Sequence, residues 1–294
     1  MGRVSVALLV AEEPQHGVEL LVAAHRALGH TVEVRHLATY TPVVRPDGEP
    51  ALRLGADVGH SRASALWGLT VQEALARAGG RLVNEVAAQR AGRDKWVCTQ
   101  LLREAGVPVL PTVLAAPGTT AAALVALLDG DDLVLKPLAG HSGAGVVRRR
   151  GAAAIDEELA TAARAGGMLL AQPYADDAGR TDLRVVVVGG RVVACYERRA
   201  PDGDFRTNSG LPGAGLAACT PDAATERLAV RAAAACGLEI AGVDILHTAI
   251  GGPPHGRAVL EINTNCGLVV GLPTLTGNSM AHEMAAYVGS RAEA

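Results

Sequence analysis

The chain has 294 residues, 49% of them hydrophobic and 19% charged, with a formal net charge of -3. That length allows about two domains around a sizeable core, and no apolar run approaches the roughly 18 residues of a membrane span. Two Trp, four Tyr and one Phe with no basic excess provide neither a broad phosphate-binding surface nor stacking platforms, so nucleic acid is not an expected partner.

Strand "VSVALLV", helix "GVELLVAAHRALGH" and strand "TVEVRHL" make a βαβ opening, as a parallel sheet requires. The apolar start runs directly into Glu12 and Glu13 without a cleavage site, so it reads as a first strand and not as a signal peptide. A Pro- and Gly-bearing loop follows, then helix "ALWGLTVQEALARAGG" and short strand "RLVNE". No G-x-G-x-x-G follows the first strand, which argues against a dinucleotide there.

A second unit opens near Arg93 with helix "DKWVCTQLLREAG", the turn-rich "VPVLPT", helix "TTAAALVALLDG" and strand "LVLK". Helix "DEELATAARAGG" and strand "MLLAQPY" complete it. The last third predicts strands "DLRVVVVGG" and "RVVACYERR", a loop, a helix capped by Thr220 with Pro221 at its first position, strands "GVDIL" and "AVLEIN", and a closing helix "NSMAHEMAAYV".

The five cysteines form no C-x-x-C pair and the nine histidines no H-E-x-x-H, so neither a disulfide framework nor a zinc site is indicated and a cytoplasmic setting is expected. Of 27 basic residues only Lys95 and Lys136 are lysine. A compact, rotatable ammonium differs from a planar guanidinium at a tight phosphate site, which gives these two positions weight.

Lys136 ends an apolar strand and leads into "PLAGHSGAGVV", where Gly140, Gly143 and Gly145 precede β-branched residues. A Walker or Rossmann loop opens a helix; this loop joins two strands, and reads either as a hairpin tip or as a flap over phosphates. In "LEIN", Glu261 and Asn263 are two apart and share one strand face, with Leu260 and Ile262 on the other. Asp244 is a lone acid in an apolar strand. Such acids need arginine partners or a metal, and an oxygen-only set suits magnesium. Asp182 and Arg184 share a strand face, and Arg206 and Asn208 sit in a glycine-rich loop beside Phe205.

In order, "GRDKWVCTQLLREAGVPVLPT", "LVLKPLAGHSGAGV", "LLAQPY", "TDLRVVVVGGRVVACYERRA", "GDFRTN", "AGVDIL" and "LEIN" resemble the ATP-grasp superfamily, in its RimK-type branch of ribosomal-protein glutamate ligases and amino-group-carrier-protein ligases. The resemblance implies an α/β (α+β) ATP-grasp fold preceded by a Rossmann-like domain. Residues 1–90 would form that domain, 91–172 the central subdomain with the flap, and 173–294 the C-terminal subdomain with metal and substrate sites. It implies ATP binding by Lys95, Lys136, the flap Gly140, His141, Ser142, Gly143 and Gly145, the hinge Gln172, Pro173 and Tyr174, and Asp182 near the ribose. Arg184, Arg206 and Asn208 would hold phosphate or acyl group, and Asp244, Glu261 and Asn263 would ligate Mg2+, with Mn2+ as a substitute.

The implied activity is an ADP-forming amide ligation through an acyl phosphate, joining an amino acid such as glutamate to another amino acid or small amine. A protein C-terminus or carrier protein is the alternative acceptor, and an ATP-sensing binding protein the non-enzyme alternative. A homodimer or tetramer is expected from the same resemblance. Two departures stand out: after "EIN" the chain reads "TNCGLVVGLPTLTGNSM" in place of a Ser-Pro-Gly turn with acidic text, and Pro173 replaces the usual hinge acid.

Overall fold

A computed structural model of the chain describes residues 3–11, 17–44, 52–138, 140, 143–207, 211–250 and 256–292. The N-terminal part runs β1 (Ser5–Val10), α1 (Val18–Ala27), β2 (Thr31–His36), β3 (Val58–Ser61), α2 (Leu66–Arg77) and β4 (Leu82–Val83). Its four strands are parallel, in the order β2-β1-β3-β4. β1 is buried along almost its whole length because helices and neighbouring elements cover both faces of a parallel sheet. β3, "VGHS", escapes the sequence reading because it is four residues long and carries no apolar alternation.

Two helices, α3 (Val86–Arg93) and α4 (Lys95–Glu104), bridge to the second unit. The sequence predicts only α4. Asp94 ends α3 and caps α4, its carboxylate accepting the Trp96 and Val97 N–H groups, so one acid divides two helices. Then follow β5 (Val113–Ala115), α5 (Ala121–Leu128), β6 (Asp132–Pro137), β7 (Val147–Arg150), α6 (Ala152–Arg164) and β8 (Leu169–Pro173). They form an antiparallel sheet ordered β5-β8-β6-β7. Leu133 and Leu135 of β6 and Leu169 and Ala171 of β8 bury one face under Leu124, Leu128, Ile155 and Leu159 of the two helices. By strand alternation the other face carries Val134, Lys136 and Gln172.

The third unit comprises β9 (Thr181–Val188), β10 (Arg191–Arg199), β11 (Gly215–Ala218), α7 (Ala223–Ala235), β12 (Ile240–His247), β13 (Arg257–Asn263) and α8 (Met280–Ser290). The strands form an antiparallel sheet ordered β11-β10-β9-β12-β13. Val185 and Val187 of β9 pack with Val243 and Ile245 against Ala229, Ala232 and Ala233 of α7. On the opposite face β9 changes character along its length, with Val186 and Val188 in an apolar cluster and Asp182 and Arg184 in a polar one. That apolar half joins α8 and the first sheet in one core, bringing Met280, Met284 and Val288 against Val6 and Leu8. Asn84 fixes the join: its amide donates to the Ile240 carbonyl at 2.7 Å and accepts from the Glu239 and Ile240 N–H groups.

The cap of α7 differs from expectation. Asp222 caps it, accepting the Thr225 N–H at 2.8 Å, so Thr220 and Pro221 precede the helix, which starts at Ala223. An aspartate two residues later offers an equally good acceptor, and the longer helix start loses.

Three imidazoles form a chain inside the first unit. His25 of α1 meets His30 through Nδ1 atoms 3.0 Å apart, and its Nε2 lies 3.0 Å from Nδ1 of buried His60 on β3. Burial, reinforced by His30, pulls His25 down to about 4, and burial pushes His60 well below its ordinary value. The folded protein therefore binds fewer protons here than the unfolded chain between about pH 4 and 6.5. Stability should be full above pH 6.5 and fall with acidification through that window, by on the order of 3 kcal/mol for His25. Thermal unfolding followed from pH 7.5 to 4 measures this; His25→Gln, which cannot titrate, should flatten the acid limb.

Candidate active site

The polar faces of the second and third sheets line an open cleft. The second sheet contributes Val134, Lys136, Gln172 and Pro173, with Tyr174 beyond; the third contributes Asp182, Arg198, Asp244, Leu260 and Glu261. Period-two alternation puts Val134, Lys136, Gln172, Asp182, Arg198 and Asp244 there, since the alternate residues are those buried under the helices.

Lys136 is only 4% exposed. Burial pulls its ammonium down to about 8, with Glu261 working in the opposite direction and Lys95 adding to the fall. Lys95 begins α4, held by its backbone N–H to the Leu138 carbonyl at 3.0 Å, and its Nζ donates to the Gly140 carbonyl at 3.4 Å. Across the cleft, Arg206 Nη1 donates to the Gly143 carbonyl at 3.4 Å, so cations from two directions hold the flap. Gly143 and Gly145 have φ of 72° and 71°, and a Cβ at Gly145 would stand 2.8 Å from Pro137 Cγ. These turns therefore require glycine. His141, Ser142 and Asn208 lie outside the described residues.

The hinge side is apolar and aromatic. Gln172 turns its amide to Thr112 Oγ1 at 2.8 Å. The Arg148 guanidinium lies 3.5 Å over the Tyr174 ring, and Tyr174 meets Phe205 edge to face at 6.0 Å. Arg148 is itself held by Asp132.

On the third sheet the register assembles a row. Tyr196 is opposite Arg184, Arg184 opposite Asp244, and Asp244 opposite Glu261; Asp182 is opposite Arg198. Arg184 grips Asp244 through both Nε and Nη2, the latter at 2.9 Å. Arg198 Nε donates to Asp182 at 2.8 Å while its Nη2 lies 2.9 Å from Asp244, and Thr207 Oγ1 donates to Asp182 at 2.8 Å. Burial would raise the Asp244 carboxyl; Arg184 and Arg198 overcome it and hold Asp244 below its ordinary value, ionised. At Asp182 burial prevails over Arg198 and moves the carboxyl up.

Arg184 thus braces Asp244 from behind and does not line the cleft, whereas Arg198, absent from the sequence expectations, does. Its only sequence signal is position: Tyr196 and Arg198 alternate on one face of an apolar strand. Gly242 makes the brace possible, because a Cβ there would stand 3.0 Å from Arg184 Cδ and 2.8 Å from Cys266 Cβ.

Leu260 does not point away from Glu261. The register shifts between Asp244 and Ile245, so that Glu261 and Val259 face consecutive residues of β12 and Leu260 is the extra residue of a bulge. A bulge breaks the alternation and turns neighbouring side chains to one side, which places both Leu260 and Glu261 at the cleft.

Asp244, Glu261 and the Asn263 amide, whose Nδ2 lies 3.3 Å from Asp244, form an oxygen-bearing set with no thiolate or imidazole. Among the described residues no group of three or more His, Cys, Asp or Glu side chains is gathered to hold a metal, so a hard cation here would draw on two carboxylates, an amide and non-protein oxygens.

Residues 92–288 match the RimK-like ATP-grasp domain. The chain belongs to that family. Relatives of this RimK-like ligase include a probable alpha-L-glutamate ligase of Thioalkalivibrio sulfidiphilus, 32% identical over 98% of this chain and 96% of the relative. Another, from Azotobacter vinelandii, is also 32% identical, over 98% and 96%. Among solved structures, D-cycloserine synthetase DcsG superposes with a TM-score of 0.73 at 23% identity, over 98% of this chain and 99% of that one. The ATP-grasp ligase PsnB, complexed with minimal precursor, Mg and ADP, superposes with a TM-score of 0.68 at 18% identity, over 98% and 97%. This RimK-like protein is thus an ATP-grasp enzyme that forms carbon–nitrogen bonds, in a family that uses ATP with Mg2+.

Two substitutions test the brace. Arg198→Met should leave two buried carboxylates short of their shared cation and cost about 3–5 kcal/mol, read from the urea midpoint. Gly242→Ala should cost about 1–3 kcal/mol by displacing Arg184.

Proposed function

We propose that this RimK-like ligase activates the carboxylate of an amino acid, glutamate or a close analogue, and joins it to the amino group of another amino acid or small amine. One observation carries the reading: the chain's only two lysines, the glycine flap and the Asp244–Glu261 pair, separated by up to 166 positions between Lys95 and Glu261, converge on one cleft. The relatives described as probable alpha-L-glutamate ligases support glutamate as donor.

The chemistry divides between the two ends of the cleft. Gln172, Tyr174 and the apolar side chains around them would take the nucleotide base, while Lys95, Lys136 and the flap N–H groups face its phosphates. A carboxylate oxygen of the donor attacks the γ-phosphorus and ADP leaves; the amine then attacks the acyl carbon and phosphate leaves, giving the amide. Asp244, Glu261 and Asn263 would hold the divalent ion, which neutralises charge on the transferring phosphoryl. Lys136 and Arg206 add positive charge, and a flap closed over the nucleotide would exclude the water that hydrolyses an acyl phosphate.

A second reading, transfer to a peptide or protein tail, has one support: the similar fold of PsnB is seen with a precursor peptide. ADP release screened over paired free amino acids, with mass spectrometry of the products, tests the first reading. Release only on addition of a peptide acceptor would select the second.

Lys136→Ala should lower ADP release by at least about 100-fold while leaving the unfolding midpoint within about 1 kcal/mol; full activity in that variant would refute the assignment. Lys136 also predicts a pH dependence. In the free protein it loses its proton near pH 8, and phosphate oxygens would restore it, so nucleotide binding should take up a proton between about pH 8 and 10.5. The Kd for ATP should rise above pH 8 by up to about tenfold per unit. Calorimetry in two buffers of different ionisation enthalpy measures that uptake.

A further inference from the structure

The third sheet contains a thiol pair that the ligase chemistry does not use. Cys195 of β10 and Cys219, the residue after β11, have Sγ atoms 3.0 Å apart. The Cys219 N–H donates to the Cys195 carbonyl at 3.0 Å, continuing the antiparallel pairing of Tyr196 with Ala218. The two thiols are thus directly opposed on neighbouring strands, at a separation that a disulfide needs only about an ångström of movement to close. Cys195 is buried, and Cys219, at the end of the edge strand, is half-buried. A second pair, Cys98 and Cys236, has Sγ atoms 3.7 Å apart with both residues buried.

The place of the first pair matters. β11 is an edge strand, held by β10 alone, and its last two residues are exposed. The connection from β10 to β11 begins with the segment that carries Phe205, Arg206 and Thr207 into the cleft, where they meet Tyr174, the flap and Asp182. A bond between positions 24 apart would close that connection into a loop.

We propose that Cys195 and Cys219 are a reversible disulfide site, oxidised by a small-molecule disulfide of the glutathione class, and that the bond staples the edge strand and restrains the segment bearing Phe205, Arg206 and Thr207. Cys219 attacks first: its thiolate displaces one glutathione thiolate, which takes up a proton, and leaves a mixed disulfide on Cys219. Cys195 then gives up its proton and attacks the Cys219 sulfur, and the second glutathione leaves. Two electrons pass from the protein thiols to the glutathione disulfide, which ends as two thiols. Burial, with Cys219 beside it, pushes the Cys195 thiol up, which disfavours it as the first attacker; in the second step its closeness to the Cys219 sulfur offsets that.

The test treats the full chain with oxidised glutathione, alkylates the remaining thiols and maps the peptides by mass spectrometry. The expected result is a Cys195–Cys219 cross-link that dithiothreitol reverses and that Cys219→Ser abolishes, with circular dichroism confirming that the variant folds and Cys219→Ala standing in should it not. Hydrogen exchange at residues 203–207 should slow by about tenfold or more in the oxidised protein. A stable glutathione adduct on Cys219, a Cys98–Cys236 cross-link in its place, or no loss of thiols would overturn the site. A cross-link with unchanged exchange at 203–207 would overturn the restraint.

Discussion

The guanidinium of Arg198, shared by Asp182 and Asp244, is the contact on which the cleft depends. Two carboxylates placed side by side on a sheet face repel one another and lose hydration, and neither could stay ionised there without a cation between them. Arg198 supplies it from β10 and Arg184 adds a second from β9, so β9, β10 and β12 are tied by charge at the point where their apolar packing ends. The result is one sheet with two functions along the same face, an apolar half that joins the first unit and a polar half that faces the nucleotide cleft.

That arrangement leaves a division of labour among the charged groups. Asp244 is braced from behind, and its register partner Glu261 is set against Lys136 across the cleft. Lys136 is buried deeply enough to titrate near neutrality, which makes its charge responsive to an arriving anion. A ligase that must gather a polyphosphate, a divalent ion and two substrates benefits from charges that are preorganised on one side and adjustable on the other. The flap is bound from both sides by long cations, Lys95 at the Gly140 carbonyl and Arg206 at the Gly143 carbonyl.

Much of this was legible in the sequence. The scarcity of lysine singled out Lys95 and Lys136, the strands flanking the glycine loop excluded helix-opening phosphate loops, and the lone acids in apolar strands announced buried charge. Arg198 was not legible, because in a chain with 25 arginines a basic residue at a strand end looks like a solvated one. Short elements also escaped: β3, β5 and β11 have only three or four residues each, too little for alternation to register, and the eight-residue α3 was not assigned.

What the amino-acid sequence determined by itself is the periodic part: which residues of β6, β9 and β12 share a face, where most helices lie, and which residue types stand ready for phosphate and metal. Those follow from local geometry, 3.6 residues per helical turn and two per strand repeat, which needs no partner to operate. The tertiary structure alone decided what faces what. The register of β9 with β10 and β12 made Asp182, Arg198, Arg184 and Asp244 one network, and a bulge in β13 turned Leu260 toward the cleft against its own alternation. Register and bulges are set by packing across strands distant in sequence, and that information resides in no single segment of the chain.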